Sequence, residues 1–295
     1  MKYVSILAVL AAGCVSGAAQ TGFAFRDVDG KALELSEKGK PVFLYNYAPV
    51  LREGFPEAMS RCCYLHPVYL PDGTQITDDF NKDHPHHRGI SWMWTNVTVD
   101  GKTYDLWTVG DIKHRSLNVR KSAGSRATLT LDNGWFTGNR KVVDERVEIS
   151  VHPEANGSRR LDFTLRFEAS GSPVEIVGTP DQKKGFGGFC FRFAPRDGGR
   201  ANTVIRTDQG VSKGDGVMEV HPWAQIEGVF KGKRGGARVE DDPGNPGYPN
   251  GWLMRYGFGF LNVSYPGLTP KILERGKPLV LRYRVTLYSG EVPEK

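Results

Sequence analysis

Apolar and polar residues alternate cleanly along several segments of this chain, and a period of two dictates half-buried β-strands. "VVDERVEISV" (142–151) puts Val143, Val147, Ile149 and Val151 on one face, with Asp144, Arg146, Glu148 and Ser150 on the other. "RLDFTLRFEA" does the same with Leu161, Phe163, Leu165 and Phe167. "PLVLRYRVTLY" aligns Leu279, Leu281, Tyr283, Val285 and Leu287 in the manner of an antiparallel sheet. Turn signals such as "PDG", "DNG", "RDGG" and "NPGYPNG" recur between these runs, and no window of a dozen residues carries a helical period. The pattern predicts an all-β protein, a sandwich or a barrel. With 39% hydrophobic residues among 295, the chain can fill a sizeable core. One continuous β domain over 22–294 is the economical division.

The first residues, "MKYVSILAVLAAGCVSGAAQ", run from an early lysine through an apolar stretch to small residues, which is the layout of a secretory signal. Cleavage is expected near Ala18 or Ala19, with lipid attachment at Cys14 as the second reading. No later segment approaches the ~20 apolar residues of a membrane span, so an exported protein, periplasmic or extracellular, is expected. Three cysteines are left: Cys62, Cys63 and Cys190. Neighbouring cysteines do not easily pair with each other, so either Cys190 bridges to one of them or all three are buried thiols. No CxxC spacing offers a cysteine zinc site. The net charge of +6 is spread out apart from "KGKRGG" (231–236). Nucleic acid is therefore not an expected partner, whereas an anionic or neutral polysaccharide is compatible.

The chemistry-bearing stretch is "DDFNKDHPHHRGISWMW" (78–94). Pro85 bars a central strand or a helix interior there, so His84, His86 and His87 sit in an extended or turning segment. If it is extended, His84 and His86 point one way and His87 the other. The pair His84 and His86 would then suit a divalent metal, with Asp79, Asp83 or His66 completing the shell. The same imidazoles suit general acid–base work, because histidine titrates near neutral pH. Trp92 and Trp94 share a face if "ISWMW" is a strand, where core is the favoured role for at least one of them and a platform for a sugar ring is the alternative. In "DQKKGFGGFCFR" (181–192), Lys183 and Lys184 precede a glycine-rich bend able to approach a ligand closely.

"LHPVYLPDGTQITDDFNKDHPHHRG", "KKGFGGFCFRF", "DDPGNPGYPNGWLMRYGFGFLNVSYPG" and "LRYRVTLYSG", in this order, resemble the bacterial family labelled methane oxygenase PmoA. The resemblance covers most of the chain after the signal. It implies a large antiparallel β-sandwich, like that of galactose mutarotase, in an exported group associated with carbohydrate degradation. It carries over to His66, Asp79, Asp83, His84, His86, His87, Arg88 and Gly89. In the later blocks it carries to Lys184, Gly185, Gly187, Gly188, Pro243, Asn245, Pro249, Trp252 and Arg255. The chain departs from the pattern at Asp241-Asp242-Pro243, where Asp-His-Pro is expected. Methane oxidation is not carried over, because those oxygenase subunits are embedded in a membrane and no span follows the signal here.

The leading expectation is an enzyme acting on a glycan or sugar derivative, of lyase, epimerase or hydrolase type. His86, His87, Asp83, Arg88 and Lys184 would carry the catalysis, and His66, Asp79, Trp92, Trp94, Trp252 and Arg255 would contact substrate. A non-catalytic carbohydrate-binding protein using the tryptophans as platforms is the first alternative. A metal-dependent oxidoreductase, as the family label implies, is the second.

Overall fold

A computed structural model describes residues 22–291, so the segment read as a signal, with its cleavage and lipid sites, lies outside the described residues. The alternating segments form the expected strands. Arg140–Val151, Ser158–Ala169 and Leu279–Ser289 are neighbours in one nine-stranded sheet, paired antiparallel. A second nine-stranded sheet runs through Tyr64–Val68, Ile90–Met93, Gly188–Arg192, Phe260–Ser264 and Gly251–Arg255 at its centre. Four short strands, among them Val174–Val177 and Asn96–Val99, make a small third sheet. Every pairing within the sheets is antiparallel, and among the described residues helical structure is limited to three short 3-10 turns. The large antiparallel β-sandwich expected from the sequence is the fold.

The two large sheets pack face to face through aromatic rings. Trp94 meets Trp135 and Phe167 at 5.3 Å, Phe163 meets Phe189 at 5.1 Å, and Phe189 stacks on Tyr283 at 4.6 Å. Trp92 and Trp94 do share a face, and it is the inner one. Both are fully buried, as is Trp252. Their indole N–H groups donate to Glu145, to the Tyr265 carbonyl and to the His221 carbonyl at 2.7–3.0 Å. No ring face is left for a sugar, so the substrate-contact role expected of Trp92, Trp94 and Trp252 gives way to a core role. Cys62, Cys63 and Cys190 are all free and buried, which excludes the alternative of a bridge from Cys190.

Alternation then fixes what the other side of the second sheet presents. With Phe191, Leu261, Trp252 and Met254 turned inward, Arg192, Phe260, Leu253 and Arg255 face away from the core. Loops close over this outer face, and the histidine segment is one of them.

Candidate active site

The histidine loop is stapled at its base to the outer face. The Gly89 amide donates to the Asp78 carbonyl at 3.0 Å, the Arg192 amide to the Gly89 carbonyl at 2.7 Å and the Asp78 amide to the Arg192 carbonyl at 3.1 Å. Gly89 closes the staple because a Cβ there would lie 2.0 Å from the Leu65 carbonyl oxygen. Within the loop, the Arg88 guanidinium donates to Asp79 at 2.6 Å and to the Met59 carbonyl at 2.5 Å, and lies 3.6 Å from the Phe80 ring centre. Tyr64 donates its hydroxyl proton to the other Asp79 oxygen at 2.7 Å. Arg88 and Asp79 thus form a buried strut. Their expected roles in catalysis and substrate contact are corrected to holding the loop in place.

Above the strut, His84, Pro85, His86 and His87 make a tight turn, closed by the His87 amide donating to the His84 carbonyl at 3.0 Å. Proline at the second position suits such a turn because its φ is already set. The extended alternative is therefore not what forms. The turn stacks the imidazoles of His84 and His87, with centroids 4.7 Å and planes 8° apart, and His86 stands edge-on to both. His87 also stacks on Phe260 at 4.3 Å. Among the described residues no group of three or more His, Cys, Asp or Glu side chains is arranged to hold a metal ion. Of the residues expected to complete a shell around His84 and His86, Asp79 is taken up by Arg88 and Tyr64, and His66 by Thr77.

Asp83 instead makes a dyad with His84. Its Oδ2 lies 3.1 Å from His84 Nδ1, within ion-pair reach although not aligned as a good hydrogen bond, and Oδ1 accepts from Arg192 at 2.9 Å. Partial burial pushes the Asp83 carboxyl up, but His84 and Arg192 outweigh it, and the group sits below the usual aspartate value. Arg192 is itself buried, with its guanidinium over the Phe258 ring. It also donates to His87 Nδ1 at 3.5 Å.

The three histidines line a cleft of about 250 Å³, just below the ~300–1,000 Å³ common for small-molecule sites and suited to one sugar ring. Trp107, Phe186, Phe258, Phe260 and Leu253 form its apolar wall, and Lys184, Asp181 and Arg255 are its charged groups. Lys184 Nζ is 3.3 Å from Asp181, and Arg255 donates to the Gly216 and Met254 carbonyls at 3.2 and 3.3 Å. Trp107 is held by Arg61, which donates to its carbonyl at 3.0 Å, and by Asp105, which accepts from its amide at 2.6 Å. The glycine-rich bend packs closely on the chain's own backbone: a Cβ on Gly178 would lie 2.0 Å from the Gly185 carbonyl oxygen. His86, His87, His84, Lys184 and Arg255 are thus brought together, with Asp83 beside them. His66 is not in the lining; its Nδ1 is 3.0 Å from the Thr77 hydroxyl. Trp107, Phe186, Phe258, Phe260, Leu253, Asp181 and Arg192 are site residues that sequence reasoning did not single out.

Burial, reinforced by His84 and the guanidiniums of Arg88, Arg61 and Arg192, lowers the His86 pKa to about 4. Burial also drives His87 well below the ordinary histidine value and His66 below it. An unfolded histidine titrates near ~6.5, so between pH 6.5 and 4 the unfolded chain takes up protons that the fold refuses. Stability is then full above about pH 6.5 and falls on acidification, at up to about 1.4 kcal/mol per pH unit from His86 alone. We expect the urea midpoint to drop across this window and the drop to be smaller in His86→Gln. A midpoint that stays level between pH 7 and 4.5 would contradict the buried neutral imidazoles.

Against solved structures, the chain is similar to the GalM/aldose epimerase homologue from C. elegans, at 6% identity and a TM-score of 0.42, over 92% of this chain and 99% of that one. It is similar to heparan sulfate lyase HepC from Pedobacter heparinus at 10% identity and a TM-score of 0.36, over 94% of this chain but only 37% of the lyase. Likenesses this distant transfer no activity. No curated protein matches the chain by sequence. The resemblance to the methane oxygenase family is corrected by the family comparison, in which residues 32–295 match the Family of unknown function (DUF6807) and not that family. The chain belongs to DUF6807.

Proposed function

We propose that this chain is an exported carbohydrate-active enzyme that removes the proton from the carbon next to the carboxylate of an acidic sugar. The observation that carries this reading is the Asp83–His84 dyad at an aromatic-walled cleft that also holds Lys184 and Arg255. The aromatic wall takes the apolar face of a sugar ring, and the two cations take its carboxylate. His84 accepts the proton, and ionised Asp83 stabilises the imidazolium and holds its orientation. The C–H electron pair moves into the sugar carboxylate, where Lys184 and Arg255 balance the growing negative charge. The intermediate either regains a proton on its other face, giving an epimer, or expels the oxygen on the next carbon, giving an unsaturated sugar. In the elimination the proton taken up by His84 passes to the departing oxygen, which leaves as a hydroxyl group, and His86, uncharged at neutral pH, steadies that oxygen with a hydrogen bond from its N–H.

Both outcomes share the first step, so the test is exchange of that hydrogen with deuterium from solvent, followed by NMR on uronate-containing oligosaccharides. Exchange dependent on His84 is the expected result. Turnover confined to neutral glycosides, with no exchange in any acidic sugar, would overturn the reading in favour of hydrolysis. Lys184→Ala and Arg255→Ala are each expected to lower kcat/KM about 10–100-fold, the worth of one hydrogen bond to a charged group. The loss should be much smaller on a substrate whose carboxylate is esterified. Equal losses on both substrates would contradict carboxylate recognition.

A further inference from the structure

The opposite side of the molecule carries a larger cleft that the histidine site does not use. It lies on the outer face of the other large sheet, has a volume of about 320 Å³, and is walled by Pro222, Trp223, Pro243 and Tyr248. Its floor is a cross-strand row in which Asp162 pairs with Arg284, Arg284 with Glu240 and Glu240 with Trp223. Arg284 Nε is 2.8 Å from Asp162, and its Nη1 is 3.8 Å from Glu240. The next row adds Thr164 opposite Arg282, with Asp242 beside them. Arg282 is exposed and makes no ion pair within 4.0 Å among the described residues.

The overhanging loop, 242–250, is built to stay in place. Asn245 behaves like an extra strand residue: its side chain donates to the Arg282 carbonyl and accepts from the Arg282 amide, both at 2.6 Å. Beneath it, the buried Asp241 carboxylate accepts from Asn245 at 2.7 Å and from the amide and side chain of Asn250 at 3.0 and 2.9 Å. Tyr248 is therefore presented by a rigid loop, with little ordering left to be done on binding.

We propose that this cleft is a second carbohydrate-binding site, taking a neutral sugar unit of a glycan. Tyr248 supplies an exposed apolar ring, which sugar rings stack on, and Trp223, with the Arg238 guanidinium 4.1 Å over one side of its ring, adds a partly buried aromatic wall. The floor alternates acceptors and donors, Asp162, Glu240 and Asp242 with Arg282 and Arg284, and hydroxyl groups can satisfy both kinds at once. An anionic sugar would meet three carboxylates, and a cationic one two guanidiniums. A neutral polyhydroxylated ring meets neither conflict. The site is thus chemically distinct from the cation-rich histidine cleft, and it stands whether or not the chemistry proposed there is right.

The test is affinity electrophoresis of the full chain in native gels cast with neutral polysaccharides: xylan, galactomannan, mixed-linkage β-glucan and starch. Retardation in at least one gel is expected. Tyr248→Ala and Arg282→Ala change exposed side chains, which keeps the test independent of folding. Each should weaken binding about three- to tenfold, and Trp223→Ala at least as much, while His86→Ala leaves retardation unchanged. Absence of retardation in all four gels would overturn the proposal. So would retardation indifferent to Tyr248→Ala and Arg282→Ala, or retardation lost in His86→Ala.

Discussion

His84→Ala is expected to lower kcat on an acidic-sugar substrate about 10²–10⁴-fold, the range for losing a positioned general base, with KM little changed. Of the three histidines only His84 has a carboxylate at its ring nitrogen, at 3.1 Å. His87 is locked between rings and beside the Arg192 guanidinium, and His86 is too weak a base at a pKa near 4 to compete for a carbon-bound proton. Asp83→Asn should lose a smaller part of the rate, because the amide can hold the ring but cannot stabilise its charge. Arg192 touches the dyad from behind, which makes it a positioning residue. Arg192→Lys should weaken the dyad through Asp83 and move the pH dependence of kcat. Free imidazole added to His84→Ala should restore part of the rate, a recovery that a purely structural role for His84 would not give. Folded His84→Ala with turnover close to the parent would sink the assignment.

How much of this was legible in the sequence follows from what is local and what is not. Strands were legible because alternation is a local property: Val143, Val147 and Ile149 announce their face whatever they pack against. The turn at His84–His87 was half-legible, since Pro85 excludes a strand interior but leaves open whether the chain bends or runs on. The partner of Asp83 was not legible. Arg192 stands in "FCFRF", where it reads as one polar position of an ordinary strand, and it reaches Asp83 across 109 positions of chain only because the two strands flanking the site are neighbours in one sheet. Arg88 shows the converse. It adjoins the histidines in sequence, yet the Asp79 strut takes it away from the cleft. Trp92 and Trp94 misled for a related reason, because aromatic spacing says that two rings share a face without saying which face is inner.

Glu145 was hidden in plain view, at the inward parity of "VVDERVEISV", and its replacement by alanine is expected to have the largest effect on stability. The side chain is buried between the sheets. It accepts from Trp92 and His114 at 3.0 Å, Asn133 at 2.7 Å and Trp135 at 2.8 Å. Burial pushes the carboxyl up, but the His114 charge and these donors outweigh it and leave the group below the ordinary glutamate value. Burial likewise opposes protonation of His114, yet Glu145 holds its pKa above the ordinary histidine value. Removing one member of such a pair strands the other charge and several donors, which costs about 3–5 kcal/mol. Glu145→Ala should show this as a lower urea midpoint at unchanged slope, whereas Glu145→Gln, which keeps an acceptor, should lose less. The pair's contribution is full between the unfolded glutamate and histidine values, fades as pH rises through the raised His114 value, and is lost as pH falls through the lowered Glu145 value. The upper of these two windows lies above about pH 6.5, where His86 and His87 are neutral in both states, so Glu145→Gln should flatten the loss of stability seen on raising the pH above about 6.5. His114→Ala combined with Glu145→Ala should cost less than the two single changes added, because the second removes a partner already stranded. Strict additivity would mean that the carboxylate is sustained by Asn133 and the indoles alone.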